Sequence, residues 1–223
     1  MKKILVSLSA VTCFLWVAAA FAVPVLQLDI SDGTYVGGSE ETVVSTGDSF
    51  TLYALYGGDY TTRNFYISAA ILPAASGSSD LGNFSFAGIT YDVTDSMTYG
   101  APALGSDSLP GHGVFDAYYK QFAFSFDSNL KAEEYNVEDT PGGFAVGDDL
   151  YYRAFDVDVS GLAEGYELHF DLYGFNDKGK FIKAPFSHDA QSGGGTPIPE
   201  PGTLLLLGAG LIGLAGSAHR FRR

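Results

Sequence analysis

The chain has 223 residues, which suits one globular domain with appendages. Charged residues make up only 17%, while 17 Phe, 14 Tyr and 28 Gly favour many strands joined by tight turns. Residues 23 to 200 carry 7 basic and 26 acidic side chains, a net of −19 against −14 for the whole chain; such a surface repels nucleic acid and anionic lipid, keeps the protein dispersed and draws cations.

The start reads MKKILVSLSAVTCFLWVAAAFAVP. Two lysines precede an apolar run, and Ala20 and Ala22 form an A-x-A site. That order predicts a secretory signal peptide over 1–22, cleaved after Ala22 and handled by the Sec export machinery. The sole cysteine, Cys13, lies inside it with no small-residue lipobox before it. The secreted body is then free of cysteine and must hold together by packing alone.

From residue 23 onward period-two alternation dominates. VLQLDI sets Leu26, Leu28 and Ile30 on one face; FTLYALY sets Phe50, Leu52, Ala54 and Tyr56; FYISAAIL sets Phe65, Ile67, Ala69 and Ile71. NFSFAGITYDV offers Phe84 and Phe86, a shift at Gly88 read as a bulge or turn, then Ile89, Tyr91 and Val93. TYGAPALGSDSLPGHG reads as a long crossover loop. YKQFAFSFD, LYYRAFDVDVSG and YELHFDLYG continue the pattern through Phe122, Phe124, Phe126, Phe155, Val157, Val159, Leu168, Phe170 and Leu172. No stretch keeps a helical period for three turns. Seven or eight strands of this kind predict an all-β, antiparallel β-sandwich or jelly-roll ectodomain over 23–192, with one face of each sheet solvated.

The chain closes with SGGGTPIPEPGTLLLLGAGLIGLAGSAHRFRR. Residues 193–202 read as a flexible tether that ends in Pro199, Glu200 and Pro201, where proline keeps the backbone extended and unpaired. The uncharged run 203–218 reads as a short transmembrane helix of about 24 Å, less than the roughly 30 Å hydrocarbon core. Its four glycines weaken it further. Arg220, Arg222 and Arg223 in the tail 219–223 stay cytoplasmic by the positive-inside rule, as do Lys2 and Lys3. An ordinary membrane helix on a proline-rich stalk has the same gross layout.

This order of parts resembles the PEP-CTERM sorting signal. The resemblance implies recognition of Pro199, Glu200 and Pro201 by exosortase, a membrane protease-transpeptidase of bacteria that make exopolysaccharide, and anchoring that lasts only until processing. The body is similar to the choice-of-anchor N family through LQLDISDGTY, YISAAILP, LYYRAFDVDVSGL and APFSHDAQS. That resemblance implies a secreted, surface-attached protein and assigns it no reaction.

Sites for chemistry are sparse. HExxH and paired-cysteine zinc patterns are absent. His112 reads as a turn residue and His169 as a solvent-facing strand residue. Calcium is the cation that fits best, on Asp148 and Asp149 before one strand and Asp156 and Asp158 along it, the last two about 7 Å apart on one face. No G-x-S-x-G elbow exists, and Ser187-His188-Asp189 are neighbours that ordinarily do not converge into a relay. Tyr56, Tyr60, Tyr66, Tyr118, Tyr119, Tyr151 and Tyr152 are the candidates for stacking on sugars. The expected function is a non-catalytic protein of the cell envelope or matrix. An exopolysaccharide-binding module is the alternative, and a secreted hydrolase stands behind that.

Overall fold

Strands form where β-branched and aromatic residues alternate with small or polar ones, and Gly, Asp and Pro break the runs. In chain order they are β1 (Leu26–Ile30), β2 (Thr34–Val36), β3 (Thr42–Val44), β4 (Ser49–Tyr56), β5 (Phe65–Leu72), β6 (Asn83–Phe86) and β7 (Ile89–Asp92). A one-turn helix α1 (Val93–Ser96) leads to β8 (Thr98–Gly100), β9 (Ala117–Phe124), β10 (Lys131–Ala132) and β11 (Leu150–Asp158). The last three are β12 (Glu167–Phe175), β13 (Phe181–Lys183) and β14 (Asp189–Gln191). This computed structural model describes residues 23–37, 41–77, 80–102, 109 and 113–193. The predicted signal peptide with Ala20 and Ala22, His112, Pro199, Glu200, Pro201, the run 203–218 and the three terminal arginines lie outside the described residues. Among the described residues, no helix is long and apolar enough to cross a membrane.

Two sheets result. The first runs β1-β4-β11-β6-β7, with β10 beside β11; the second runs β2-β3-β14-β12-β5-β9-β8, with β13 beside β12. Every pairing is antiparallel except β14 with β3. The central pairs join distant parts of the chain: Leu52 of β4 faces Phe155 of β11, and Ile67 of β5 faces Leu172 of β12. The shift at Gly88 is a tight hairpin turn. Ala87 and Gly88 both have positive φ, 51° and 79°, the mirror-image geometry that suits the twist of paired strands.

The predicted inward faces meet in one core. Phe50 of β4 lies edge-on to Phe170 of β12 at 6.2 Å, Phe86 of β6 stacks on Phe122 of β9 at 4.0 Å, and Phe124 of β9 meets Phe155 of β11 at 5.2 Å. Each such ring contributes about 1.5–3 kcal/mol by leaving water, and its edge or stacking contact adds to that. Gly174 lets β12 press against β5, because a Cβ there would come within 2.6 Å of the Phe65 ring. Ile89 departs from the expected face. It is 57% exposed, on the edge strand β7.

The expectation of a solvated outer face fails at β1, on the edge of the first sheet, and at β12, in the middle of the second. All five residues of β1 are buried, including Gln27 and Asp29 on the side away from the core. The loop between β10 and β11 covers them. Tyr135 donates its hydroxyl to Asp29 Oδ2 at 2.6 Å, and the Gly142 and Ile30 amides donate to Asp29 Oδ1 at 2.8 and 2.9 Å. Gln27 donates to the Tyr135 carbonyl at 2.7 Å, and Phe144 stacks on Tyr53 at 4.0 Å.

Burial pushes the Asp29 carboxyl upward, and its three hydrogen bonds pull it only part of the way back. An acid with a raised folded pKa stabilises the fold most when protonated. That contribution is full below the unfolded value of 3.8 and is lost as pH rises through the folded one. Asp29→Asn should therefore keep the loop closed and flatten stability against pH over that window. Asp29→Ala should lose about 1–3 kcal/mol for each donor left buried without an acceptor. Urea unfolding across a pH series measures both.

Candidate functional site

Strand β12 reads Glu-Leu-His-Phe-Asp-Leu-Tyr from residue 167. Alternation sends Leu168, Phe170 and Leu172 into the core and places His169, Asp171 and Tyr173 on the opposite face. That face is not wet. His169 is 3% exposed, against the solvent-facing position expected of it, because hydrophilic residues on a strand can be roofed by later parts of the chain. Asp171 is 3% exposed, and Asp189, on neighbouring β14, is 2% exposed.

These three side chains converge. His169 Nε2 lies 3.4 Å from Asp189 Oδ2 and 3.7 Å from Asp171 Oδ1. One ligand atom from each lies within 4.8 Å of the others, which makes this the one group of three metal-ligating side chains among the described residues. Register places two hydroxyls beside it on the same face: Ser68 of β5 opposite Asp171, and Thr42 of β3 opposite Asp189. Both are buried, and neither hydroxyl has a hydrogen-bond partner. Lys183 of β13 pairs with Tyr173 and shares that face, with Nζ 3.7 Å from the centre of the Phe186 ring.

Burial drives His169 toward its neutral form, but the two carboxylates more than offset it and hold the imidazole up to about 10. Without another cation the group is an imidazolium clamped between carboxylates. That state is too basic to take up a substrate proton near neutrality and is suited to holding two strands together. Burial lowers Lys183, and the Asp171 charge works the other way.

Ser187, His188 and Asp189 part company. Ser187 Oγ lies 2.7 Å from His188 Nδ1, and His188 Nε2 lies 2.9 Å from Asn136 Oδ1, while Asp189 turns to His169. Because Asn136 Oδ1 can only accept, the network assigns the proton to Nε2 and leaves Nδ1 to accept from Ser187. Burial lowers the pKa of His188, in keeping with that neutral tautomer.

The carboxylates proposed for calcium do not gather. Asp148 and Asp149 precede β11 and Asp156 and Asp158 end it, so about 20 Å of strand separates the pairs. Asp149 accepts from the Glu134 amide at 3.2 Å. Asp158 accepts from Ser49 Oγ and from the Ser160 amide and hydroxyl, bonds that hold its carboxyl below the usual range. The tyrosines do not form a coplanar exposed row. Tyr56 is in the core, Tyr66 stacks on buried Tyr173, Tyr118 donates to the Gly77 carbonyl, Tyr119 is edge-on to Phe115, and exposed Tyr60 is tilted 53° to Tyr151. Tyr152 instead lines an open groove of about 460 Å³ with Asn129, Lys131, Val146 and Asp148.

Comparison with known proteins places one firm point. Residues 197–223 match the PEP-CTERM protein-sorting motif, which supports exosortase-dependent sorting of an exported protein. No curated protein matches the chain. Among solved structures the chain is similar to the C-terminal domain of the Streptococcus pyogenes antigen I/II-family protein AspA, with 11% identity and a TM-score of 0.25. The match covers 76% of this chain and 46% of that one, so the chain spans about half the length of that structure.

Replacing His169 by leucine should leave Asp171 and Asp189 facing each other in a dry site. A loss of about 3–5 kcal/mol is expected from removing one partner of a buried charge cluster, read as a lower urea midpoint.

Proposed function

We propose that this chain is a non-catalytic protein of the bacterial cell envelope or extracellular matrix, exported through its first 22 residues and delivered by its sorting tail. The observation that carries this reading is the match over 197–223, with Pro199, Glu200 and Pro201 ahead of the apolar run and Arg220, Arg222 and Arg223 behind it. The run 203–218 serves as a transient membrane anchor, and exosortase releases the body by cutting near the proline-stiffened segment. The acidic surface and the absence of cysteine from 23 to 193 suit a soluble, packed body outside the cell. The resemblance of that body to the choice-of-anchor N type supports the same location. His169 and Asp189 serve architecture in this reading.

Exopolysaccharide binding is the second reading, and the groove of Asn129, Lys131, Asp148 and Tyr152 favours it. A polar, open cleft with one aromatic wall suits a sugar better than an apolar ligand. Retardation of the purified protein in a gel containing host polysaccharide, lost in Tyr152→Ala, is the outcome that reading requires.

Sorting is tested in the native host. Wild-type protein should be recovered without its C-terminal arginines by mass spectrometry. The triple change Pro199→Ala, Glu200→Ala, Pro201→Ala should leave a longer species in the membrane fraction. Wild-type protein that still ends in Arg223, or a triple variant trimmed as before, overturns the proposal.

A further inference from the structure

The described residues hold a second feature that sorting does not use: the buried trio on the far side of the second sheet. We propose that His169, Asp171 and Asp189 hold one divalent transition-metal ion, which cross-links β12 to β14, the last strand before the tail.

The donor set is one imidazole nitrogen and two carboxylates. Imidazole with carboxylate suits zinc and its first-row neighbours, and it disfavours calcium, which wants six or more oxygens. Spacing agrees. A tetrahedral zinc site with bonds of about 2.0–2.1 Å has ligand atoms about 3.3 Å apart. The two distances from His169 Nε2 are 3.4 and 3.7 Å. Charge-assisted hydrogen bonds would draw the same atoms to about 2.7–2.9 Å. Two carboxylates and a dication sum to neutrality around a neutral imidazole.

The flanking hydroxyls are an independent observation. Ser68 Oγ and Thr42 Oγ1 are buried without a hydrogen-bond partner, and each sits beside a different carboxylate of the trio. Buried hydroxyls of this kind call for a water or an ion. Thr42 on β3 and Ser68 on β5 stand about 14 Å apart across β14 and β12, so a water filling the remaining coordination position would serve only one of them. Lys183 lies on the same face and is the competing cation; a metal ion would displace its influence on Asp171. With all three ligands almost fully buried, the ion is structural.

Position gives the ion a use. Asp189 opens β14, and the chain between 23 and 193 has no cysteine to cross-link its final strand. A metal there does the work of a disulfide at the end that bears the sorting tail.

The test uses the full chain produced in a host that lacks exosortase, purified from membranes, stripped with a chelator and dialysed against zinc or cobalt. Elemental analysis should give about one zinc per chain. The melting temperature should rise by roughly 5–10 °C at a hundredfold excess of zinc over its Kd. The cobalt form should show the visible absorption of a low-coordinate site. X-ray absorption of the zinc form should find one imidazole and two or three oxygens, a readout that needs no variant. Asp189→Asn and His169→Gln should lose the zinc. Failure to retain zinc or develop a cobalt band, or zinc kept at full stoichiometry in both variants, overturns the proposal and leaves an ion-paired imidazolium at this place.

Discussion

Polar burial on the outer side of each sheet is the constraint on which the rest of the structure depends. The core between the sheets is apolar and would form from many sequences of the same pattern. What distinguishes this chain is that β1 and β12 are buried on both faces, with charged and amide side chains on the second face. Each such group must find a specific partner, because a buried polar atom without one is worse than an apolar replacement. Asp29 and Gln27 can be satisfied only if the loop between β10 and β11 lies where it does. His169 is held only if β14 brings Asp189 alongside. Polar burial thus selects one loop arrangement and one partner strand where hydrophobic burial would tolerate several.

The two buried groups are joined through the chain. The covering loop holds Gln27 and Asp29 through Tyr135, and the next residue, Asn136, accepts from His188. His188 is followed by Asp189, which meets His169. A path that alternates side-chain contacts with peptide links therefore runs from β1 of the first sheet to β12 of the second. Contacts in one network do not contribute additively, so loosening either end should weaken the other by more than the separate losses suggest.

Much of this could be read from residue order, and the limits are physical. Long strands were legible because a half-buried face imposes period two over many residues. β4, β5 and β12 fall within a residue of their expected limits, and β11 starts where expected and ends three residues early. β2, β3, β8, β10, β13 and β14 are two or three residues long, too short for any period to declare itself. The error at His169 has a different origin. Polarity alone marks a residue as wet, yet wetness depends on what later folds over it. The spacing of His169 and Asp171 places two ligand types on one face of an apolar strand, and that much was visible. The third member was not, since Asp189 is brought there by pairing across a connection that includes β13. The sorting tail was legible for the opposite reason. Its parts are contiguous and act in order along the chain, without waiting for a fold to assemble them.

The end of the body shows how a tail can be borne without disturbing what precedes it. Beyond β14 the chain is still gripped. Ser192 donates its amide to the Leu168 carbonyl at 2.8 Å, and its hydroxyl accepts from the Leu168 amide at 2.8 Å. Gly193 donates to Ser45 Oγ at 2.7 Å and lies so close to the Ser45 backbone that no Cβ would fit. Ser45 in turn donates its amide to the Gln191 carbonyl at 3.0 Å. These bonds clasp the last described residues to β12 and to the residue after β3, one on each side of β14. A pull on the tail therefore meets a clasp at Ser192 and Gly193 before it reaches Asp189. The load divides between two neighbouring strands of the second sheet, and the buried trio at the far end of β14 is the last element to feel it.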